Sequence, residues 1–243
     1  MEFYSKTDIG KKRYSNQDAV LGKVVSENLA WSVVCDGMGG ASGGDIASSI
    51  AVEKISEVMN LLNEDMSEEN ILDLMRKSIQ SANTAIFEKA KNDEILQGMG
   101  TTVVLGVVNK NILYVMHAGD SRAYLVNDRE IVQISVDHSI VQEMVDSGEI
   151  TSKEARHHLQ KNIITRALGV ASHVKLDYNT VNLKNGDIVL MCTDGLSNHL
   201  EDNEIYHVFK KTDLTEVADL LINKCNNRGG KDNITVSLIK CGN

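Results

Sequence analysis

The chain has 243 residues, 42% hydrophobic and 24% charged, with no proline. That is enough for one sizeable core, with no Pro-rich linker or composition shift to divide it. A net charge of −9 argues against a nucleic-acid partner, whose phosphates need a basic face. It leaves phosphorylated substrates open, because one well-placed arginine suffices locally.

From the N-terminus, residues 2–8 and 29–35 read as strands, with residues 16–18 in the loop before the second. Near-helical spacing of Ile46, Ile50, Ile55, Val58 and Met59 predicts an amphipathic helix over 45–62. A second helix is expected from an N-cap at Ser67 to about Lys91. The pattern then becomes β-branched: Thr102–Val108 and Ile112–Ala118 flank a turn at 109–111, and Arg122–Val126 and Glu130–Ile134 flank another at 127–129. Residues 139–147 look helical, and Thr151 with Glu154 has capping-box spacing. Strands resume at 174–183 and 187–193. Helices are expected near 203–210 and 214–226, the latter with Asp213 and Glu216 at capping-box spacing, before a last strand at Ile234–Lys240. Hairpins and grouped helices favour an α+β fold, two antiparallel sheets with helices laid on their outer faces.

No segment approaches the roughly 20 apolar residues of a membrane span. The start, M-E-F-Y-S-K-T-D, lacks a signal-peptide pattern. A cytoplasmic, monomeric protein is expected, with no membrane partner. The four cysteines (Cys35, Cys192, Cys225, Cys241) form no C-x-x-C pair and read as reduced structural residues.

Two apolar runs end on Asp-Gly, at Asp36-Gly37 and Asp194-Gly195. Each looks like a buried strand delivering one carboxylate, followed by a glycine that permits a sharp turn and close backbone approach. Asp120, Asp232 and Asp18 also sit at strand ends or adjoining loops. Lone buried carboxylates are costly. A converging set without His or Cys partners suits Mg²⁺ or Mn²⁺ better than Zn²⁺. Singly, each Asp-Gly or Gly-Asp pair is also an ordinary turn dipeptide. Glycines 37, 39, 40, 43 and 44 could equally form a phosphate-cradling loop, but neither G-x-x-x-x-G-K-[ST] nor G-x-G-x-x-G occurs. No C-x₅-R phosphatase loop surrounds any cysteine.

Taken in order, T-D-I-G-K-K-R-Y-S-N-Q-D-A (7–19), V-V-C-D-G-M-G-G (33–40), G-M-G-T-T (98–102), A-G-D-S-R (118–122), D-H-S (137–139), T-R-A-L-G (165–169), C-T-D-G-L (192–196) and K-D-N-I-T (231–235) resemble the metal-dependent Ser/Thr protein phosphatases of the 2C type, in their bacterial single-domain form. The resemblance implies one domain over 1–243, a four-layer αββα sandwich with a metal cleft at one edge. It implies that Asp36 bridges two ions, that the Gly37 carbonyl binds one, and that Asp194 and Asp232 bind the other. Asp18 would act mainly through water, and Asp120 with Asp194 would hold a third ion. Two or three Mn²⁺ or Mg²⁺ per chain follow. Arg13 matches the arginine that binds substrate phosphate, although beside Lys11 and Lys12 it also reads as one more solvated base.

The implied activity is hydrolysis of phosphoserine and phosphothreonine in proteins, opposing a Ser/Thr protein kinase. The rivals are a stress-response regulator acting on one small phosphoprotein and a non-catalytic binding module on the same fold. Members from higher organisms often carry a proposed general-acid histidine after Asp-Gly. Here that position is Met38, so the leaving group is expected to take its proton from a water in the metal centre. Residues 146–164 correspond to a flap, a mobile lid or docking loop carrying His157 and His158. Leu159 replaces a proline common in relatives and is expected to leave the flap less restrained.

Overall fold

The protein is described by a computed structural model over residues 1–39 and 43–242; Gly40 of the glycine-rich run lies outside the described residues. The chain opens with β1 (Glu2–Asp8), β2 (Asp18–Ser26) and β3 (Leu29–Met38), then α1 (Gly44–Met59) and α2 (Glu68–Asn92). The short β4 (Gly100–Thr101) leads into β5 (Val103–Asn109), β6 (Ile112–Ala118), β7 (Arg122–Val126) and β8 (Ile131–Gln133). Two small helices follow, α3 (Ile140–Asp146) and α4 (Ser152–Ala155), before β9 (Asp177–Asn182) and β10 (Ile188–Cys192). The chain closes with α5 (Asp194–Ser197), α6 (Asp202–Lys211), α7 (Leu214–Asn227) and β11 (Ile234–Lys240).

One sheet runs β1-β11-β10-β7-β8 and the other β2-β3-β5-β6-β9, with β4 paired to β3. The alternation of side chains along each strand sorts them into three apolar layers. Leu29, Trp31, Val33 and Cys35 of β3 pack against α1 and α2, while Ala30 and Val34 of the same strand face β11 and β10 between the sheets. In β11, Ile234, Val236 and Leu238 pack under α6 and α7, and Ile239 points into the sandwich. The expected helix–sheet–sheet–helix layering is therefore present. All four cysteines are buried and unpaired.

The structure corrects several local expectations. Residues 18–26 form strand β2, for which the sequence pattern gives no sign, and Asp18, expected in a loop, is its first residue. Gly22 and Lys23 hide the strand in the sequence. Gly22 is there because the Phe3 ring lies about 2.5 Å from where a Cβ would stand. Strand β3 continues through Asp36 to Met38 because Gly37 and Met38 pair with β4. Strand β9 begins at Asp177, not 174. Asp213 precedes α7 without a side-chain cap. Instead the capping box opens α6, where Glu201 and Glu204 exchange bonds. The Ser67 cap and the Thr151–Glu154 box form as the sequence suggested.

Candidate metal centre

Four aspartates from distant parts of the chain line one cleft of about 600 Å³ at the edge of the sandwich, with Arg13 and Gly37 beside them. Asp36 comes from the far end of β3. Asp120 sits between β6 and β7, Asp194 is the first residue of α5, and Asp232 lies just before β11. Asp18 stands behind this wall. Its Cα pairs with that of Asp36 across β2 and β3, which puts two carboxylates on neighbouring strands, a repulsive arrangement unless positive charge is supplied.

Polar groups aim these carboxylates. Asp18 Oδ2 accepts bonds from the Thr193 and Thr235 hydroxyls at 2.8 and 2.7 Å. The Asp36 amide donates to Thr102 Oγ1 at 2.9 Å, and Thr101 Oγ1 donates to the Asp36 carbonyl at 2.9 Å. Asn198 Nδ2 donates to Asp194 Oδ2 at 2.8 Å. Asn233 holds the Arg13 loop, donating to the carbonyls of Ile9 and Ser15 and accepting from the Gln17 amide. Arg13 Nη2 donates to Asp232 Oδ2 at 2.8 Å, and its side chain is 49% exposed, at the rim of the cleft. The orienting threonines and Asn198 were not singled out from sequence. Thr193 and Thr235 flank the catalytic-looking aspartates, but only the fold shows that both point at Asp18.

The carboxylates of the site are buried and repel one another. Burial, then the charges of Asp18 and Asp194, pushes Asp36 well above the usual carboxylate range. Burial, with the charge of Asp194 next, does the same to Asp120. Burial pushes Asp18 up to about 7 against the pull of its two threonine bonds, with Asp194 and Asp232 adding repulsion. Burial and the charge of Asp232 push Asp194 up to about 6, opposed by the nearby Asp36 carboxyl and by the charges of Lys161 and Arg13. Asp18 Oδ1 and Asp194 Oδ1 are buried with no hydrogen-bond partner. Among the described residues no three His, Cys, Asp or Glu side chains close around a single point as a ready ligand set; the carboxylates are spread along the cleft. Hard oxygens, orphaned and mutually repelling, nevertheless fit divalent cations such as Mn²⁺ or Mg²⁺.

The two Asp-Gly pairs do not make the sharp turns expected of them. Gly37 stays in the strand and Gly195 in a helical turn. Both are required by close approach. A Cβ on Gly37 would stand 1.9 Å from the Gly44 carbonyl oxygen, and one on Gly195 1.8 Å from that of Asn233.

A second groove of about 710 Å³ shares Asp120 and Asp194 with the cleft and runs under residues 146–164. His157 is exposed on its wall. His158 is partly buried, and its Nδ1 accepts from the Gln160 amide at 3.2 Å. The segment is fastened to the end of α5 and the residues between α5 and α6. Arg156 Nη2 donates to the carbonyls of Ser197 and Leu200, its Nε pairs with Glu201, and Lys161 Nζ donates to Asn198 Oδ1 at 3.0 Å. Leu159 is fully exposed. No histidine lines the metal cleft among the described residues.

Residues 10–235 match the family model described as Protein phosphatase 2C. The chain is 38% identical over 236 residues to the serine/threonine phosphatase stp of Listeria welshimeri, spanning 97% of this chain and 94% of that protein. It superposes on the crystal structure of the serine/threonine phosphatase Stp1 from Staphylococcus aureus with a TM-score of 0.93 at 32% identity, covering 100% of this chain and 95% of that one. A crystal structure of the catalytic domain of the serine/threonine protein phosphatase PstP in complex with two manganese ions matches at a TM-score of 0.86 and 31% identity, covering 100% and 98%.

Proposed function

Because the chain belongs to the protein phosphatase 2C family, we propose that it hydrolyses phosphoserine and phosphothreonine in proteins with divalent cations held by Asp36, Gly37, Asp194 and Asp232. The observation that carries this reading is the cleft itself: four convergent carboxylates, those of Asp36, Asp120 and Asp194 pushed up by burial, and an orphaned buried oxygen, beside one accessible guanidinium. In this reading Asp36 would be the ligand common to two ions, the Gly37 carbonyl would help hold one, and Asp194 with Asp232 would hold the other. Asp120 with Asp194 would hold a third, and Asp18 would act from behind Asp36, mainly through water. When bound, such ions supply a water acidic enough to attack phosphorus near neutral pH.

The chain's own residues do the rest. Arg13, tethered to Asp232 at the rim, grips two phosphate oxygens and offsets the charge that grows on them. Thr193 and Thr235 keep Asp18 fixed, and Thr101 and Thr102 keep Asp36 fixed. With Met38 after Asp36-Gly37 and no histidine on the cleft wall, the leaving oxygen takes its proton from solvent within the site.

Residues 1–243 work as one catalytic unit, with 146–164 as the flap that meets the substrate chain through His157 and His158. The enzyme acts as a cytoplasmic monomer and opposes a Ser/Thr protein kinase. No helix among the described residues is long and apolar enough to cross a membrane. Aryl phosphate hydrolysis with Mn²⁺ and with chelator, on wild type and Asp194→Ala, tests the reading. Turnover should require Mn²⁺ and vanish in the variant; turnover that persists in chelator would overturn it.

A further inference from the structure

Two sequence motifs, D-H-S at 137–139 and T-R-A-L-G at 165–169, contain a buried histidine and an arginine that do not line the metal cleft. His138 is 6% exposed. Its Nδ1 accepts the Gly119 amide proton at 3.1 Å, and its own amide donates to the Gly119 carbonyl at 2.9 Å. Gly119 immediately precedes Asp120. It has φ +110°, and a Cβ there would stand 2.6 Å from Thr102 Cβ, so no other residue fits this turn. On the far side of Asp120, Ser121 Oγ bonds Thr102 Oγ1 at 2.7 Å. Asp120 therefore hangs between two pinned residues, one held by Thr102 and one by His138.

We propose that His138 is a positioning residue for Asp120: its Nδ1, kept an acceptor by Asp177, holds the Gly119 turn and so aims the Asp120 carboxylate into the metal cleft. The inference rests on the phosphatase reading, in which Asp120 is a metal ligand. The tautomer follows from the contacts. A backbone amide can only donate, so Nδ1 carries no proton, and the neutral ring must carry it on Nε2. That atom lies 3.1 Å from Asp177 Oδ2, to which it donates, and 3.0 Å from Arg166 Nη1, itself only a donor, whose hydrogen goes to Asp177 and not to Nε2. Arg166 Nη1 braces Asp177 Oδ1 at 2.8 Å, and the Thr165 amide donates to the His138 carbonyl at 2.8 Å. On the other face, His117 stacks on His138 with ring centres 4.8 Å apart and planes at 12°. Both His117 nitrogens are buried without a hydrogen-bond partner, and burial holds that ring neutral, its pKa pushed down to about 4. The arrangement is that of an outer-shell carboxylate–histidine pair acting on a ligand through the backbone.

Mn²⁺ titration of the metal-free protein, followed by electron paramagnetic resonance of free Mn²⁺, tests this without turnover. Asp120→Asn identifies the Asp120-dependent ion. His138→Ala should weaken that ion by about tenfold or more and leave the others unchanged. His138→Asn, whose amide oxygen replaces Nδ1, should restore affinity to within about threefold. Thermal melting checks that each variant folds; if His138→Ala does not, Asp177→Asn takes its place and should weaken the same ion. Unchanged affinity in His138→Ala, or a loss in His138→Asn as large as in His138→Ala, would overturn the inference while leaving the phosphatase reading intact. If Asp120→Asn loses no ion, the third-ion reading and this inference fall together.

Discussion

Asp18 shows how much of this site is decided by single hydroxyl groups. Its Oδ2 is satisfied by Thr193 and Thr235, and its Oδ1 by nothing. In metal-free protein, Thr235→Val should cost about 1–3 kcal/mol in urea unfolding at pH 8, where Asp18 is ionised, and clearly less at pH 5, where it is protonated. An equal cost at both values would show that the hydroxyl does not serve the carboxylate. Arg13 is half exposed and tied to Asp232. Arg13→Ala should lower kcat/KM for a phosphothreonine peptide roughly tenfold to a hundredfold, at or below the effect of an enclosed donor. Mn²⁺ affinity should not fall, since the change only frees Asp232. A parallel loss of metal would assign Arg13 to ligand support instead. At this scale the sequence was most legible for the aspartates, whose flanking glycines and apolar runs mark them. Thr193, Thr235 and Asn198 stayed hidden because their partners are remote or set by a helical turn.

The elements explain why the glycines sit where they do. Sequence reasoning expected Gly37 and Gly195 to allow both a sharp turn and a close backbone approach; the structure uses them for the approach alone. Gly195 lets α5 press against the segment before β11, and so brings Asp194 and Asp232 to one wall. Gly195→Ala should destabilise the fold by about 3 kcal/mol, the upper end for overpacking, because the added methyl meets the Asn233 carbonyl rather than a yielding side chain. Gly186→Ala is the comparison: a positive φ of 90° in open space, with a cost near 1 kcal/mol from backbone strain alone. Thermal or urea melts of the two variants measure the difference; equal losses would contradict the close-approach account. Strand β2 escaped sequence reading for a related reason, since Gly22 breaks its alternation to admit the Phe3 ring. Hairpins β5–β6 and β7–β8 were legible because their turns are local, whereas β9 and β10, also joined by a short turn, belong to different sheets. Residues 146–164 were legible as a segment but not as fastened, because Arg156 and Lys161 reach groups 37 to 45 residues away.

Across the whole molecule, the four layers serve to hold carboxylates together that repel one another. Asp18 and Asp194 titrate near 7 and 6 in the folded protein, against an ordinary value of 3.8. The folded state therefore holds more protons than the unfolded state between about pH 4 and 7, and this contribution to stability is lost as pH rises through that window. The buried His117, lowered to about 4, works in the opposite sense, losing stability as pH falls. The rise in Tm on adding Mn²⁺ isolates the carboxylates, because the histidines are not ligands. It should grow from pH 5 to pH 7.5, as protons leave and cations take their place; a rise independent of pH would mean that these aspartates are not the ligands. The layered fold could be anticipated because hairpins and grouped helices leave few other arrangements. The order of the motifs along the chain pointed to the site, but the raised protonation of Asp36 and Asp194 depends on burial and distances that only the folded chain sets.

The most direct test of the central claim is Mn²⁺-dependent hydrolysis of a phosphothreonine peptide by wild type and by Asp36→Asn, with folding checked by melting. Wild type should release phosphate only with Mn²⁺, and the folded variant should lose at least about 100-fold in kcat. Comparable rates in the two proteins, or release of phosphate by metal-free wild type, would contradict a metal centre built on Asp36.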